Sequence, residues 1–159
     1  GAHGISDRGI WRVHQFSKVE QVIICKPEDS KEMHNEILEN ATHIFKKLEI
    51  PFRVIDICTG DIGTVAARKF DIEAWMPSSK KWKEVVSASN CKSYQSVRLN
   101  MRYRTQEGTD FPHTLNSTAV ATTRALAAIL ENNQTDNGDV IIPEVLRKWM
   151  GNQEIIEAK

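Results

Sequence analysis

Residues 113–135 read HTLNSTAVATTRALAAILENNQT, and this stretch constrains how the rest of the chain can be arranged. DFPHTLN, which leads into it, has strand character. In the helix predicted from Thr118, apolar or small residues fall on every face from Ala119 to Leu130, which implies a long helix buried on most sides. Thr135 to Gly138 supply a turn that ends it. Arg124 is out of keeping with such a helix. An unpaired guanidinium in or beside a core costs on the order of several kcal/mol, so Arg124 must meet a carboxylate or an anionic ligand. An ion pair with Glu84, Glu73 or Glu20 satisfies that need, and so does a ligand contact.

Working outward, KEVVSASNC places Glu84 at the start of an apolar strand and Ser87, Ser89 and Asn90 at its end. A carboxylate with a nearby hydroxyl is a weak magnesium signal, since Mg²⁺ takes one or two carboxylates plus phosphate oxygens. An edge-strand Glu beside a polar turn accounts for the same residues. Upstream, FRVIDIC and IEAWM read as strands, TGDIG as a turn and TVAARKF as a short helix. PEDSKEMHNEILENATHIFKKLEI carries Met33, Ile37, Leu38, Ala41, Ile44, Phe45 and Leu48 at helical spacing. Its acidic start and Lys46 and Lys47 near its end suit the helix dipole. SYQSVRLNMRYR reads as helix running into strand, and IIPEVLRKWM as a short helix beginning near Pro143.

The stretch from Ile10 to Cys25 favours strand, which would line up Arg12, His14, Phe16, Lys18 and Glu20 on one face. Arg12, Phe16 and Glu20 would then stand about 13 Å apart in succession. A cation, an aromatic plate and a carboxylate in that order suit a phosphate, a purine and an ammonium group. They also suit a solvated sheet face, the commoner arrangement. Strands with few intervening helices imply an antiparallel sheet, and hence an α+β fold.

The 159 residues fit one domain, and equal numbers of acidic and basic residues, 21 each, give no general attraction to nucleic acid. Cys25, Cys58 and Cys91 are odd in number and lack CxxC pairing, which favours reduced thiols over a disulfide framework or a zinc knuckle. His3, His34 and His43 read as exposed, and no two histidines have metal-ligand spacing. No apolar run approaches the roughly 20 residues of a membrane span, and GAHGISDRG, read as Gly-rich loop, has no secretory pattern. An intracellular, cytoplasmic protein with no membrane partner is expected.

Taken together, RGIWRVHQFSKVEQV, TGDIG, EAWMP, EVVSASNCKSYQSVRLNMRYR, HTLN, ATTRALAAILENNQT and IPEVLRKWMG resemble the C-terminal half of the catalytic domain of the seryl-tRNA synthetase family of class II aminoacyl-tRNA synthetases. The resemblance covers essentially residues 1–159, from the second strand of motif 2 through motif 3. It implies an antiparallel sheet flanked by helices, incomplete on its N-terminal side. It also implies an ATP-binding ligase of translation that converts serine, ATP and Mg²⁺ to seryl-adenylate and then charges tRNA(Ser).

Residue by residue, Arg124 matches the motif 3 arginine on ATP, and Arg12 the arginine that reaches the terminal phosphates. Phe16 matches the ring stacked on adenine, and Val13 the residue whose backbone meets the base edge. Glu84 and Ser87 match the carboxylate and hydroxyl that hold magnesium on ATP. Glu20, Asn116 and Thr118 match the serine-binding groups. Where many family members have Asn-Gly-Ser, this chain reads Asn116-Ser117-Thr118, which keeps the hydroxyl. The coiled-coil arm that grips tRNA, motif 1 of the homodimer interface, a serine-binding loop and the first motif 2 strand are expected upstream of the matched region. Two other readings predict different chemistry: a non-catalytic synthetase-like interaction module, and an aminoacyl ligase that charges a carrier protein.

Overall fold

The structure is a computed structural model and describes residues 9–159. Its first strand, β1 (Lys18–Cys25), is shorter than the strand-forming run from Ile10 predicts. The strand it pairs with, His113–Ala121, gives way to helix at Thr122. Thr122 donates to the Ser17 carbonyl from its N–H at 3.1 Å and its hydroxyl at 2.9 Å. Residues 10–17 therefore have no ladder to join and run as turns and bends, so Arg12, His14 and Phe16 do not share a strand face with Glu20.

After a 3-10 turn at Pro27–Asp29, α1 (Ser30–Lys47) buries His34, Ile37, Ala41 and Phe45, a helical spacing that presents one face to the sheet. Glu49, at φ 57, and Pro51 turn the chain out of this helix into β2 (Phe52–Asp56). Then come β3 (Arg68–Met76), β4 (Lys81–Asn90), α2 (Tyr94–Arg98), β5 (Tyr103–Thr105), β6 (Gly108–Asp110) and β7 (His113–Ala121). The chain closes with α3 (Thr122–Asn132), β8 (Val140–Ile141), α4 (Glu144–Arg147) and β9 (Ile155–Ile156). The predicted helix at TVAARKF does not form. Arg68 to Phe70 are drawn instead into β3, where they pair with Asn90 to Ala88. Likewise Thr118 to Ala121 belong to β7, because β1 offers them a ladder, and helix begins only at Thr122.

The main sheet has the order β1-β7-β4-β3-β2, and its strand pairs are antiparallel. On one face α1 and α3 enclose a core of Ala41, Phe45, Ile72, Ala74, Met76, Val85, Val86 and Ala128. α3 covers this core with Ala125 and Ala128 and leaves Leu126 and Leu130 exposed, so it is amphipathic rather than buried on most sides. Cross-strand partners share a face, so the register sets out the opposite face as one row. Glu20 lies opposite Thr118, Asn116 opposite Ser89, and Ser87 opposite Asp71.

A bulge on β4 completes this row. Pairing passes from Val86 opposite Ile72 to Glu84 opposite Glu73, leaving Val85 as the extra residue. Val85 and Val86 both enter the core. Glu84 and Ser87, three apart and so on opposite faces of a regular strand, both line the same cavity on the far side.

His3 and the loop reading of the first eight residues lie outside the described residues, and His43 is exposed as expected. His34 is not: it is 2% exposed, its ring lies 5.0 Å from that of Phe70, and its Nε2 lies 3.0 Å from the Ala88 carbonyl oxygen. A carbonyl only accepts, so Nε2 carries the proton. Burial lowers the His34 pKa, and the Arg68 charge lowers it further, against the opposing hydrogen bond to Ala88 and the Asp56 charge. The unfolded chain thus takes up this proton first. The stability contributed by neutral His34 is complete above about pH 6.5 and is lost as pH falls toward the folded value. In urea titrations between pH 7 and pH 5, His34→Gln is expected to show a shallower loss of midpoint than the unsubstituted protein. Equal slopes would assign the acid sensitivity elsewhere. His113 is also lowered by burial and leaves a residual slope in both.

No helix among the described residues is long and apolar enough to cross a membrane. Cys25, Cys58 and Cys91 are free thiols.

Candidate functional site

A cavity of about 270 Å³ opens on the sheet face opposite α1. Its floor is strand: Glu20 from β1, Ser87 from β4, and Asn116 and Thr118 from β7. Arg124 reaches it from the first turn of α3, Glu84 from the bulged start of β4, and Phe16 from the segment before β1. Four elements, β1, β4, β7 and α3, and the segment before β1 are needed to assemble this set.

Arg124 donates from Nη1 to the Glu84 backbone carbonyl at 2.9 Å and to Glu84 Oε1 at 3.2 Å. Of the carboxylates weighed from sequence, Glu84 is therefore its partner. Glu73 instead pairs with Arg53 at 2.6 Å. The Arg124 side chain is 25% exposed and that of Glu84 49%, so the guanidinium lies at the cavity wall rather than in the core. Its Cζ is 5.5 Å from the centroid of the Trp11 ring, and Lys83 Nζ is 4.9 Å from the same ring. Trp11 packs against the core and presents its face to both cations. Trp11 adjoins Arg12 in the sequence, but neither periodicity nor spacing marks it for this contact.

Glu20 accepts a hydrogen bond from Thr118 Oγ1 at 3.2 Å and pairs with Lys18 Nζ at 3.0 Å. Lys18 is a second cation of the cavity that sequence reasoning assigned no role. Asn116 donates from Nδ2 to Cys91 Sγ at 3.7 Å. Burial raises the Cys91 pKa, and the Asn116 bond opposes that only in part, so the thiol stays protonated near neutral pH. Phe16 stands exposed at the mouth. Arg12 is exposed and Val13 half-buried in the bends that precede β1, and neither lines the cavity.

Asp71, unremarkable in the sequence pattern, stands on β3 opposite Ser87 of β4 and is 7% exposed. Burial raises its pKa, a hydrogen bond from the Ser87 side chain lowers it, and the Glu84 charge raises it again. Among the described residues no group of three His, Cys, Asp or Glu is placed to hold a metal ion. Glu84 and Ser87 are nevertheless hard oxygen donors on one wall, and the orphaned Asp71 Oδ1 adds negative charge behind them. Such a set fits a cation like Mg²⁺, which takes its remaining ligands from phosphate and water.

The cavity combines an arginine and a lysine with a carboxylate–hydroxyl pair and an exposed ring, a lining suited to a polyanion carrying an aromatic base. The fold that carries this cavity is a known one. A family model described as tRNA synthetase class II core domain (G, H, P, S and T) matches residues 2–133. The chain is 59% identical over 159 residues to the serine–tRNA ligase of Methanospirillum hungatei, covering 98% of this chain and 37% of that relative. It is 57% identical over 160 residues to that of Thermococcus onnurineus, covering 99% and 35%.

Among solved structures, the seryl-tRNA synthetase of Pyrococcus horikoshii complexed with ATP superposes with a TM-score of 0.94 at 54% identity, covering 99% of this chain and 36% of that one. The cytoplasmic serine–tRNA ligase of Naegleria fowleri in complex with AMP gives 0.88 at 44% identity, covering 95% and 36%. The chain thus spans just over a third of the length of the relatives it matches. With the family model spanning most of its length and the α+β fold superposing at a TM-score of 0.94, the chain belongs to the class II tRNA synthetase core-domain family.

Proposed function

We propose that residues 1–159 form the C-terminal part of the catalytic domain of a serine–tRNA ligase, from the second motif 2 strand through motif 3. The proposed activity is activation of serine with ATP to seryl-adenylate and transfer of the seryl group to tRNA(Ser). The observation that carries this reading is the meeting of Arg124, Glu84, Ser87, Glu20 and Thr118 in one cavity of a chain that superposes at 0.94 on a seryl-tRNA synthetase complexed with ATP. The full-length protein would work as a cytoplasmic homodimer, as the family resemblance implies.

In this reading the serine carboxylate attacks the α-phosphorus of ATP, the new P–O bond forms, and the bond to the departing pyrophosphate breaks. Negative charge on the phosphoryl oxygens is the electrostatic problem of that step. Arg124 exchanges its Glu84 contact for a phosphate oxygen. The freed Glu84 carboxylate and the Ser87 hydroxyl are then available to a divalent cation. Mg²⁺, when bound, supplies neutralisation of the phosphate charge. Glu20 accepts the serine ammonium group, while Thr118, oriented by its bond to Glu20, and Asn116 address the remaining polar atoms of serine. Phe16 stacks on the adenine. Arg12 and Val13 would join the nucleotide by a movement of the segment before β1.

The test is ATP–pyrophosphate exchange with each amino acid in turn, which measures activation without tRNA. Serine-dependent exchange is expected, and its absence from the full-length protein would favour a non-catalytic module. Transfer to a carrier thiol in place of tRNA would mark a carrier-protein ligase. Phe16→Ala is expected to raise the KM for ATP about tenfold, the order that one lost aromatic–base stack accounts for, while the KM for serine stays unchanged. Equal shifts in both would show that Phe16 supports the cavity rather than the base.

A further inference from the structure

Asp71 is the most deeply buried carboxylate on the cavity side of the sheet, and one of its oxygens, Oδ1, has no hydrogen-bond partner among the described residues. Burying a carboxylate so poorly satisfied is unfavourable, and a small apolar residue at this register position would avoid the cost. Lys69 compensates only in part: its charge lowers the Asp71 pKa, but its Nζ is bonded to the Asp61 carbonyl at 2.9 Å rather than to Asp71. Asp71 does have one polar neighbour that belongs to the cavity: Ser87, directly opposite it across β3 and β4, close enough for its hydroxyl to draw the Asp71 pKa down as a hydrogen-bond donor does. A hydroxyl has one proton and two lone pairs. When the proton points at Asp71, the lone pairs of Ser87 are turned toward the cavity, where Glu84 presents its carboxylate.

We propose that Asp71 is a positioning residue: by accepting the Ser87 hydroxyl proton it fixes Ser87 as an oxygen donor and so sets the affinity of the nucleotide-loaded protein for a divalent cation. The proposal rests on the ATP reading given above. It differs from a packing role in what it predicts. A residue that only fills space alters stability, whereas one that orients a ligand alters metal affinity through that ligand. Groups behind a metal ligand typically change affinity about 10- to 100-fold when removed.

The experiment is a titration of Mn²⁺ into the ATP-loaded full chain, followed by electron paramagnetic resonance, with ATP binding measured separately in EDTA. Asp71→Ala is expected to weaken Mn²⁺ binding at least about tenfold and to leave metal-free ATP binding unchanged. Asp71→Asn, which keeps an acceptor oxygen, should lie between, and it provides the comparison if the alanine variant does not fold. In a Ser87→Ala background, either Asp71 substitution should weaken Mn²⁺ binding far less than it does with Ser87 present, by the small part that the Asp71 charge alone contributes. Unchanged Mn²⁺ affinity, or additive losses in the double variants, would overturn the role of Asp71 while leaving the ATP reading intact. Failure of the unsubstituted protein to bind ATP and Mn²⁺ together would overturn both.

Discussion

Arg124→Ala is expected to lower serine-dependent ATP–pyrophosphate exchange about 10²- to 10³-fold, the usual consequence of removing one preorganised donor from a developing oxyanion. The loss should fall on kcat and on the KM for ATP, and leave serine affinity nearly untouched. Stability should change little. The Arg124–Glu84 pair is partly exposed, at 25% and 49%, and pairs of that kind contribute roughly 0.2–1 kcal/mol. Arg124→Lys keeps the charge but not the planar fork that spans two oxygens, and should recover only part of the rate. The measurement is exchange kinetics at varied ATP together with thermal unfolding. A variant that unfolds several degrees earlier yet exchanges normally when cold would reassign Arg124 to the fold.

A partner for Arg124 was expected because a helix buried on most sides makes an unpaired guanidinium prohibitive; the helix is amphipathic and the guanidinium lies at the cavity wall, yet Glu84, one of the expected partners, does meet it there. The joint presence of Glu84 and Ser87 in one cavity was not legible from the strand pattern. A period of two puts residues three apart on opposite faces, and only the extra residue Val85 brings them together. The family resemblance named the two residues together without containing the reason.

Two element errors share one cause. Residues 10–17 have strand composition but lose their partner where β7 becomes α3. Thr118 to Ala121 have helix-compatible composition but gain a partner in β1. Propensity does not record where a neighbouring strand stops. Asp71 was silent for the same reason, since a lone Asp in KFDIEAWM acquires meaning only once the register sets it opposite Ser87.

Glu20→Ala should produce the second large loss, about 10²-fold in kcat/KM for serine, with ATP binding retained. Glu20 accepts from Thr118 at 3.2 Å and faces Lys18 at 3.0 Å, so truncation removes the acceptor offered to an ammonium group and leaves Lys18 as an unopposed cation in the same cavity. Breaking a hydrogen-bonded charge pair costs about 2–5 kcal/mol when buried, and solvent access to Glu20 places the effect toward the lower end. Two further variants separate charge from geometry. Glu20→Gln keeps an acceptor for Thr118 but not the charge, and should raise the KM for serine nearly as much as alanine if the ammonium is the group recognised. Thr118→Val leaves Glu20 charged but removes its hydrogen-bond donor, and should weaken discrimination between serine and alanine more than it weakens serine binding itself. Amino-acid-dependent exchange with serine and alanine, run on all three variants, reads these effects directly. Unchanged serine kinetics in Glu20→Ala would move the serine site away from β1 and leave Glu20 as the counter-ion of Lys18.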